Sequence, residues 1–359
     1  MEGVERVMIN LDFYRGKRVF VTGHTGFKGA WMCQVLAGVG AKVTGYALSA
    51  PTQPNLFELS GLENRMISCI GDVRDRDTLS SVFQKAQPEV VFHLAAQPIV
   101  RTGYEEPVYT YETNVMGTVN LLECIRTSPV PVQSVVIITT DKVYLNREWC
   151  WGYREDEPLN GYDPYSNSKS CAELVTSSYE KSFLKKLNIP VSTARAGNVI
   201  GGGDFARDRI VPDCIRSAIA ERAITVRNPN SVRPYQHVLE PIMAYLMIAQ
   251  RQAERAELAG CYNVGPDDCD CMTTGQLVDL FCKLWGGNVS WENWAEENAP
   301  HEANFLKLDC AKLKTTFGWS PRWHIDQAVE KTVEWAKAWR DGGDIKTIMD
   351  RQIKEYLEA

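Results

Sequence analysis

The chain has 359 residues, a hydrophobic content of 44% and a charged content of 23%, which are typical of an ordinary soluble globular protein. Its formal charge of −6 argues against a general nucleic-acid-binding protein, which would usually be basic. We expect no membrane span and no signal peptide, because no apolar run is long enough for either. Eleven cysteines without a CxxC pair are expected to be free thiols in a reducing cytoplasm, with no metal site.

The first half of the chain alternates short β-branched runs with amphipathic stretches. In chain order, strands are predicted at 18–22, 42–47, 66–70, 90–94, 134–139 and 191–196. Helices are predicted after the first strand through residue 36, and then at 77–87, 108–126 and 164–187. This repetition predicts an α/β fold with a doubly wound parallel Rossmann sheet and right-handed crossovers.

The second half has a different composition. After Gly201, clusters of glycine, proline and arginine interrupt short helical pieces, as in GGGDFARDRIVPD and RNPNSVRPYQHVLEP. We expect a dinucleotide-binding Rossmann domain at 13–200, to which later segments return. The remainder, 201–359, is expected to form mainly a smaller, mixed C-terminal lobe that binds a second ligand.

A GxxGxxG turn joins the first strand to the first helix. It comprises Gly23, Gly26 and Gly29, with Thr25 and Phe27 between them. Such a turn lets backbone N–H groups approach a pyrophosphate, which faces the positive end of the helix. The alternative is a purely structural turn, but a strand before the glycines and a helix after them favour a dinucleotide site.

Other strand ends predict further cofactor contacts. The second strand ends without the acid that often binds the adenosine ribose in NAD sites. Ser49 and Thr52 could contact the ribose more weakly, or Lys28 and Lys42 could favour a 2′-phosphate, so this segment alone does not decide between NAD and NADP. Asp72, which precedes Val73, could meet the adenine amino group, cap the next helix, or do both. Small residues after the fourth strand would allow close approach to the cofactor; these are Leu94, Ala95 and Ala96.

Tyr165 and Lys169 lie four residues apart in a predicted helix, and so share one face about 6 Å apart. The ammonium group of Lys169 is expected to lower the pKa of the Tyr165 phenol towards neutrality and make it a usable base. A YxxxK pair also occurs in helices by chance, so its position after a fifth strand is what favours a catalytic role. Glu173, one turn further on, is expected to be an ordinary helix-surface acid.

Thr140, Asp141 and Lys142 follow an apolar run at the carboxyl end of a central strand. Open parallel sheets bind their ligands at that edge. The alternative is a turn, since threonine and aspartate cap helices and lysine is common at surfaces. Two opposite charges at the end of a buried strand favour function instead. An acid and an amine can carry out a second proton transfer, which simple dehydrogenation does not need.

Arginines after the sixth strand predict an anion site, because the guanidinium group suits phosphate oxygens. The alternative is that they pair with nearby acids. The residues expected to bind the second ligand are Asn198, Arg207, Arg209, Arg233, His237 and Arg101, with Arg195, Tyr104, His301, Glu302 and Lys307 as further candidates. The histidines His24, His93 and His324 have no metal-ligand spacing and are expected to be structural.

Several segments resemble the extended short-chain dehydrogenase/reductase family: TGHTGFKG, HLAAQ, TTDKVY, YSNSK and RAGNVIGGGD. A further set, AQPIVRTGYEEPVYTYETNVMGT, EWCWGYRE and RPYQHVLEP, is similar to the nucleotide-sugar dehydratases that act on CDP-glucose. The likeness runs from about Phe13 to the C-terminal region. Related dehydratases carry Glu where Lys142 stands, which favours the CDP-glucose branch and leaves the identity of the base open.

The resemblance implies NAD as cofactor and CDP-glucose as substrate. Tyr165 would take the proton of the C4 hydroxyl, and Thr140 would bond either that hydroxyl or the tyrosine. Lys169 would lower the phenol pKa and hold the nicotinamide ribose. Lys142 would remove the C5 proton and Asp141 would protonate the departing C6 hydroxyl. Hydride would pass from C4 to the cofactor and return to C6, giving a 4-keto-6-deoxy sugar and water.

The resemblance also implies a homodimer that forms through the helices at 108–126 and 164–187. The alternative function is a dehydratase or epimerase acting on a GDP-, UDP- or dTDP-linked sugar. A non-catalytic dinucleotide sensor is disfavoured, because such proteins often lack the Tyr/Lys pair. Neither nucleic acid nor a membrane is expected as a partner.

Overall fold

The computed structural model describes residues 9–294 and 305–359. The strands of these residues, in chain order, are β1 (Arg18–Thr22), β2 (Lys42–Ala47), β3 (Ile67–Ile70), β4 (Val90–His93), β5 (Ser134–Ile138), β6 (Val191–Ala196), β7 (Val199–Ile200), β8 (Ile224–Val226), β9 (Val232–Pro234), β10 (Gln236–His237), β11 (Cys261–Val264), β12 (Cys271–Thr273) and β13 (Trp291–Asn293).

The α-helices of the same residues are α1 (Phe27–Gly38), α2 (Leu56–Leu59), α3 (Arg76–Ala86), α4 (Val100–Glu105), α5 (Pro107–Tyr111), α6 (Gly117–Arg126), α7 (Pro164–Ser182), α8 (Ile210–Ile219), α9 (Leu239–Glu254), α10 (Thr274–Trp285), α11 (Ala311–Phe317), α12 (Ile325–Arg340) and α13 (Ile345–Glu358).

Seven strands form the main sheet in the order β11-β6-β5-β4-β1-β2-β3, and all neighbouring pairs are parallel. The strand order reverses between β1 and β4, so the crevice that binds ligands in such sheets lies beyond the carboxyl ends of these strands. The predicted doubly wound Rossmann fold is therefore confirmed. Strand β11 comes from the second half of the chain and adds to the sheet beside β6.

The predicted strands form with ends that shift by one residue at most, whereas two predicted helices are interrupted. The stretch 108–126 is divided into α5 and α6 by a π-helical turn at Glu112–Met116. Helix α7 ends at Ser182, and a separate 3₁₀ turn follows at Leu184–Leu187. Hydrophobic periodicity could not reveal these breaks, because the apolar spacing continues through both of them.

The hydrophobic core fills both faces of the main sheet. Helix α9 is almost wholly buried and packs against α1 and β5, which anchors the second half of the chain to the sheet. The indole of Trp31 on α1 donates to the carbonyl of Gly202 at 2.9 Å, and Trp335 of α12 lies against the same glycine. The smaller sheets β10-β7, β12-β9 and β13-β8 stand beside this core.

The eleven cysteines all have free thiols, and none forms a disulfide. Within the described residues, no helix is long and apolar enough to cross a membrane.

Candidate active site

The glycine turn is so tightly packed that side chains would not fit. A Cβ at Gly23, where φ is +77°, would lie 2.7 Å from the backbone nitrogen of Ala95, and a Cβ at Gly29 would lie 2.1 Å from the Gly23 carbonyl oxygen. Gly26 precedes α1 and leaves its first amides without a side-chain cap. Uncapped amides on a tight backbone turn fit the pyrophosphate of a dinucleotide.

Thr25 and Lys28 have different positions around this turn. The Thr25 hydroxyl donates to the carbonyl of Leu48 at 2.9 Å and so holds the segment after β2 against the turn. The side chain of Lys28 lines the large cavity together with Phe27, close to Arg209. Burial lowers the pKa of Lys28 to about 8, and the charge of Arg209 acts in the same direction.

The two lysines considered for a 2′-phosphate lie in different parts of the structure. Lys28 faces the cavity, and Lys42 is the exposed first residue of β2, at the end of the strand opposite the ligand crevice.

Asp72 and Val73 follow β3 as the sequence predicts, but Asp72 does not cap the next helix. Its carboxylate accepts the backbone N–H of Arg74 at 2.9 Å and also the Arg74 guanidinium. The cap of α3 is Asp75, which accepts from the backbone N–H of Thr78 at 3.1 Å. The capping alternative is therefore wrong, and an adenine contact of Asp72 stays a prediction.

The segment after β4 is held by a buried hydroxyl. Thr22 Oγ1 accepts the backbone N–H groups of Leu94 and Ala95, both at 3.1 Å, and contacts His93 Nδ1 at 2.7 Å. Ala96 follows, half-buried, before the buried Gln97. These small residues place backbone at the carboxyl edge of the sheet, directly against Gly23.

Tyr165 and Lys169 lie one turn apart near the start of α7, which Asp163 caps by accepting the backbone N–H of Ser166 at 3.0 Å. Lys169 donates to the carbonyl of Ile138 at 3.1 Å and is 4% exposed. The helix therefore packs its Tyr/Lys face against the end of β5.

The pKa values of the pair differ from the expectation. Burial raises the pKa of Tyr165 to about 12, although a hydrogen bond with Thr140 acts in the opposite direction. Burial and the charge of Lys28 lower the pKa of Lys169 to about 7. Lys169 does not lower the pKa of the phenol towards neutrality in these surroundings, because desolvation dominates for both groups.

Thr140, Asp141 and Lys142 start a 3₁₀ turn at the end of β5. The Thr140 hydroxyl donates to Asp141 Oδ1 at 3.0 Å, whereas Asp141 Oδ2 is buried without a hydrogen-bond partner. A Cβ at Gly197 would lie only 1.8 Å from that oxygen. Gly197 thus makes room for a carboxylate that keeps one oxygen unbonded at the cavity wall.

Glu173 and Arg195 form a buried ion pair behind the site, with 2.9 Å between Arg195 Nη2 and Glu173 Oε2. Glu173 also accepts the hydroxyls of Thr139, the residue after β5, and of Thr193 on β6. The expectation that Glu173 is an ordinary helix-surface acid is therefore wrong. The expectation that Arg195 binds a phosphate is also wrong, because its guanidinium is buried in this ion pair. Two strands separate in sequence converge on α7 and satisfy both charges internally.

One cavity of about 560 Å³ brings most predicted groups together. Its wall includes Thr140, Asp141, Lys142, Tyr165, Asn198, Arg209, Arg233 and Arg101. Six cationic side chains and four carboxylates line it, so it carries an excess of two positive charges in a chain of formal charge −6. This local excess suits an anionic ligand.

Arginines and acids pair across the cavity wall. Arg209 Nη1 lies 2.9 Å from Asp204 Oδ2, and Asp208 lies 2.8 Å from Arg227 Nη1 and 3.9 Å from Arg101 Nε. Asn198, with φ of +32°, follows Gly197 and places its side chain on the wall. Of this set, the sequence did not single out Arg227, although it lies in the noted segment RNPN.

Two predicted ligand-binding residues lie away from the cavity wall. Arg207 is exposed, and His237 is fully buried between Trp31 and Trp323, where burial lowers its pKa to about 3. Lys307 lies 3.7 Å from Asp268, also off the wall.

Among the remaining candidates, Tyr104 belongs to α4 and is 40% exposed. His301 and Glu302 lie outside the described residues.

The sequence analysis did not identify Tyr245 as a residue near the candidate site. It lies on α9, fully buried, and its hydroxyl has no hydrogen-bond partner. Burial raises the pKa of Tyr245, and the charges of Tyr165 and Asp141 add to the effect, which places the phenol close to both. Apolar spacing in α9 made it look like any other core position.

Comparison with known proteins gives matches along nearly the whole chain. The family model for GDP-mannose 4,6-dehydratase matches residues 20–332. A CDP-glucose 4,6-dehydratase of Salmonella typhimurium is 50% identical over 98% of this chain and 99% of its own length. A dTDP-glucose 4,6-dehydratase of Xanthomonas campestris is 25% identical over 88% of this chain and 92% of its own.

Solved structures share the fold. An epimerase of Methanothermobacter thermautotrophicus matches with a TM-score of 0.80 and 20% identity, over 93% of this chain and 96% of its own. A dTDP-glucose 4,6-dehydratase of Bacillus anthracis, solved in complex with NAD, matches with a TM-score of 0.73 and 22% identity, over 92% of this chain and 99% of its own.

Proposed function

Because the chain belongs to the GDP-mannose 4,6-dehydratase family, we propose that it is an NAD-dependent CDP-glucose 4,6-dehydratase. It would convert CDP-glucose to CDP-4-keto-6-deoxyglucose and water. The observation that carries the proposal is the placement of two proton-transfer groups, Thr140 with Tyr165 and Asp141 with Lys142, on the wall of one cavity. An epimerase has no need of the second group.

The residues around the glycine turn fit NAD. The tight backbone at Gly23 and Gly29 and the uncapped start of α1 would receive its pyrophosphate, with Leu94 to Ala96 alongside. When bound, NAD would supply the chemistry of accepting a hydride from C4 of the sugar and returning it to C6. Lys169, held at the carbonyl of Ile138, would bind the nicotinamide ribose.

Tyr165 would take the proton of the C4 hydroxyl. Its phenol is buried and bonded to Thr140, which orients it. Burial raises the pKa of the phenol to about 12 and so opposes its ionisation before the ligands bind. Proton transfer would therefore have to accompany the loss of hydride from C4 rather than precede it. The Tyr/Thr pair thus acts only when substrate and cofactor are both in place.

Asp141 and Lys142 would carry out the elimination. The C4 ketone acidifies the C5 hydrogen, so the amine of Lys142 would suffice as base once it is neutral. Asp141 would protonate the departing C6 hydroxyl through Oδ2, the oxygen that the protein leaves unbonded. Its other oxygen is held by Thr140, which fixes the direction of the carboxyl group.

Arg209, Arg233, Arg101 and Asn198 would bind the diphosphate and sugar. Arg209 lies close enough to Tyr165 for its charge to lower the phenol pKa, so an anion bound at Arg209 would lie in the same cavity as Tyr165. The cytosine preference rests on the 50% identity to the Salmonella typhimurium protein named as a CDP-glucose 4,6-dehydratase.

The deciding experiment is incubation of the purified protein with NAD⁺ and CDP-glucose, and separately with UDP-, GDP- or dTDP-glucose. The expected product from CDP-glucose is lighter by one water and gives the chromophore of a 4-ketosugar in alkali. Epimerised CDP-sugar without loss of water, or faster dehydration of another nucleotide sugar, would contradict the proposal.

Lys142→Ala tests the identity of the C5 base. It should leave folding and NAD binding intact while stopping solvent deuterium incorporation at C5 and the loss of water. Lys181→Ala, at the exposed end of α7, is the matched control and should exchange normally. Normal C5 exchange in Lys142→Ala would remove Lys142 from this role.

We further propose a homodimer built on α5 to α7. The apolar side chains of Val108, Met116 and Leu174 are 69%, 49% and 59% exposed on this adjacent group of helices. Exposed apolar surface of this kind favours burial against a second copy. Light scattering should give twice the chain mass of 40.4 kDa, and Leu174→Glu should reduce it.

A further inference from the structure

Three side chains of types that bind metals converge at the surface, outside the wall of the cavity. One donor atom each from Cys269, Asp270 and His324 lies within 4.8 Å of the other two, in the part of the chain that the structure describes. Cys269 and Asp270 belong to a 3₁₀ turn before β12, and His324 immediately precedes α12. No local spacing relates the histidine to the other two.

The carboxylate in this cluster is already oriented. Asp270 Oδ1 accepts the backbone N–H of Ile325 at 3.0 Å, and Oδ2 lies 2.8 Å from His324 Nδ1. The Asp270 side chain is 5% exposed, whereas the His324 side chain is 56% exposed and Cys269 is exposed. The cluster thus has a buried, fixed acid beneath two donors that solvent can reach.

We propose that Cys269, Asp270 and His324 bind a divalent transition-metal ion of the Zn²⁺ or Co²⁺ type. The cation would take the place of the proton now shared by His324 and Asp270, and water would complete four-coordination on the open side. Thiolate, imidazole and carboxylate are ligands that Zn²⁺ accepts together, whereas Mg²⁺ and Ca²⁺ prefer oxygen alone. The Ile325 amide would hold the ligating carboxylate from behind.

Binding would release protons, because the ligating forms are a thiolate and a neutral imidazole. A proton between His324 Nδ1 and Asp270 Oδ2, which lie 2.8 Å apart, would compete with the metal for the same position. Metal affinity should therefore increase with pH.

The ion would join two elements of the substrate side of the molecule. It would tie β12 to the start of α12, and β12 pairs antiparallel with β9, with Met272 opposite Arg233. Arg233 is a wall residue of the cavity, whereas Cys269 and His324 are not. The ion should therefore stabilise the folded protein and leave the chemistry of the cavity to other residues.

The test uses full-length protein, treated with chelator and kept reduced without thiol reagents, and titrated with Co²⁺. We expect a near-ultraviolet thiolate-to-cobalt band that saturates at one equivalent, disappears on addition of Zn²⁺ and persists in excess Mg²⁺. Zn²⁺ should also raise the melting temperature. No band, or a band that saturates only at several equivalents, would overturn the proposal.

Variants identify the ligands. Cys269→Ser should abolish the band, and His324→Gln should weaken Co²⁺ binding by at least about 10-fold, by analogy with the loss of an outer-shell partner. Cys150→Ser, which removes another exposed cysteine, is the matched control and should bind like the parent. A band that survives in Cys269→Ser, or unchanged affinity in His324→Gln, would show that other groups bind the ion and refute this site.

Discussion

The proposed cofactor side of the site, called here the cofactor wall, is the glycine turn next to the cavity residues Phe27 and Lys28, and the proposed substrate side, called the substrate wall, is the charged lining of the cavity itself. The two walls are built by different means. The cofactor wall consists of backbone in close contact, with Gly23 against Ala95 and Gly29 against Gly23, so its shape is fixed before any ligand binds. The substrate wall consists of long charged side chains that pair with one another, such as Arg209 with Asp204 and Arg227 with Asp208. Those pairs must exchange partners when an anion enters.

The difference between the two walls predicts which substitutions should change kcat and which should change KM. The proposed catalytic groups lie at the carboxyl end of β5 and on α7, so substitutions of these groups should lower kcat. Residues of the substrate wall should mainly change KM, because a bound diphosphate replaces their present partners.

The largest effect is expected for Tyr165→Phe. Loss of the phenol proton acceptor should lower kcat by about 10²- to 10⁴-fold, the usual contribution of general acid–base catalysis, without changing the melting temperature much. Steady-state turnover of CDP-glucose is the measurement. Tyr162→Phe is the control, since Tyr162 is 75% exposed and has no lysine one turn on. Near-normal turnover in Tyr165→Phe would exclude Tyr165 as the base.

Gly197→Ala tests the position of the Asp141 carboxylate, which lines the cavity beside Gly197. The new Cβ would displace Asp141 Oδ2, from which it would lie 1.8 Å, and a shift of about 1 Å in a catalytic group can cost about 10²-fold in rate. The water-loss step should slow more than C4 oxidation, seen as accumulating NADH in single-turnover experiments. Gly38→Ala is the control, because a Cβ there meets nothing within 4 Å. Equal slowing of both steps would argue against a specific role for Asp141.

Arg209→Met tests the substrate wall. Hydrogen bonds to charged groups contribute about 1.5–3 kcal/mol, so KM for CDP-glucose should rise about 10- to 100-fold with a smaller change in kcat. Arg207→Met, which alters an exposed arginine away from the wall, should leave KM unchanged. A larger increase of KM in Arg207→Met than in Arg209→Met would contradict this assignment. It would mean that the 201–212 segment changes conformation on substrate binding and brings Arg207 to the substrate.

The smallest effect is expected for Glu240, a buried acid that does not line the cavity. Burial raises the pKa of Glu240 to about 7, although Trp323, Tyr356 and Arg322 bond to its carboxylate. Between the ordinary glutamate pKa and about 7, the folded protein keeps a proton that the unfolded chain has lost. The free energy of unfolding should therefore fall as pH rises through that interval and then level off. Glu240→Gln should flatten this slope in urea titrations; an unchanged slope would assign it to other groups.

Local patterns predicted the main sheet and the glycine turn well. Glycine spacing, β-branched runs and strand ends gave the sheet and the turn, because short-range sterics decide them. They also placed Thr140, Asp141 and Tyr165 in one cavity, since parallel strands end at a common edge.

Features that depend on tertiary packing could not be predicted in this way. The direction of Lys28, the Glu173–Arg195 pair and the buried hydroxyl of Tyr245 depend on which elements meet in three dimensions. The raised pKa of Tyr165 belongs with them, because desolvation depends on the surrounding packing rather than on the YxxxK spacing.

The central claim is that hydride leaves C4 and returns to C6 of the same sugar within one cavity. The most direct measurement uses a mixture of two substrates: CDP-glucose with deuterium at C4 and ordinary carbon, and CDP-glucose with ordinary hydrogen at C4 and ¹³C throughout the hexose. The account predicts that deuterium appears only in the methyl group of ¹²C product. Deuterium in ¹³C product, or its loss to solvent, would contradict it.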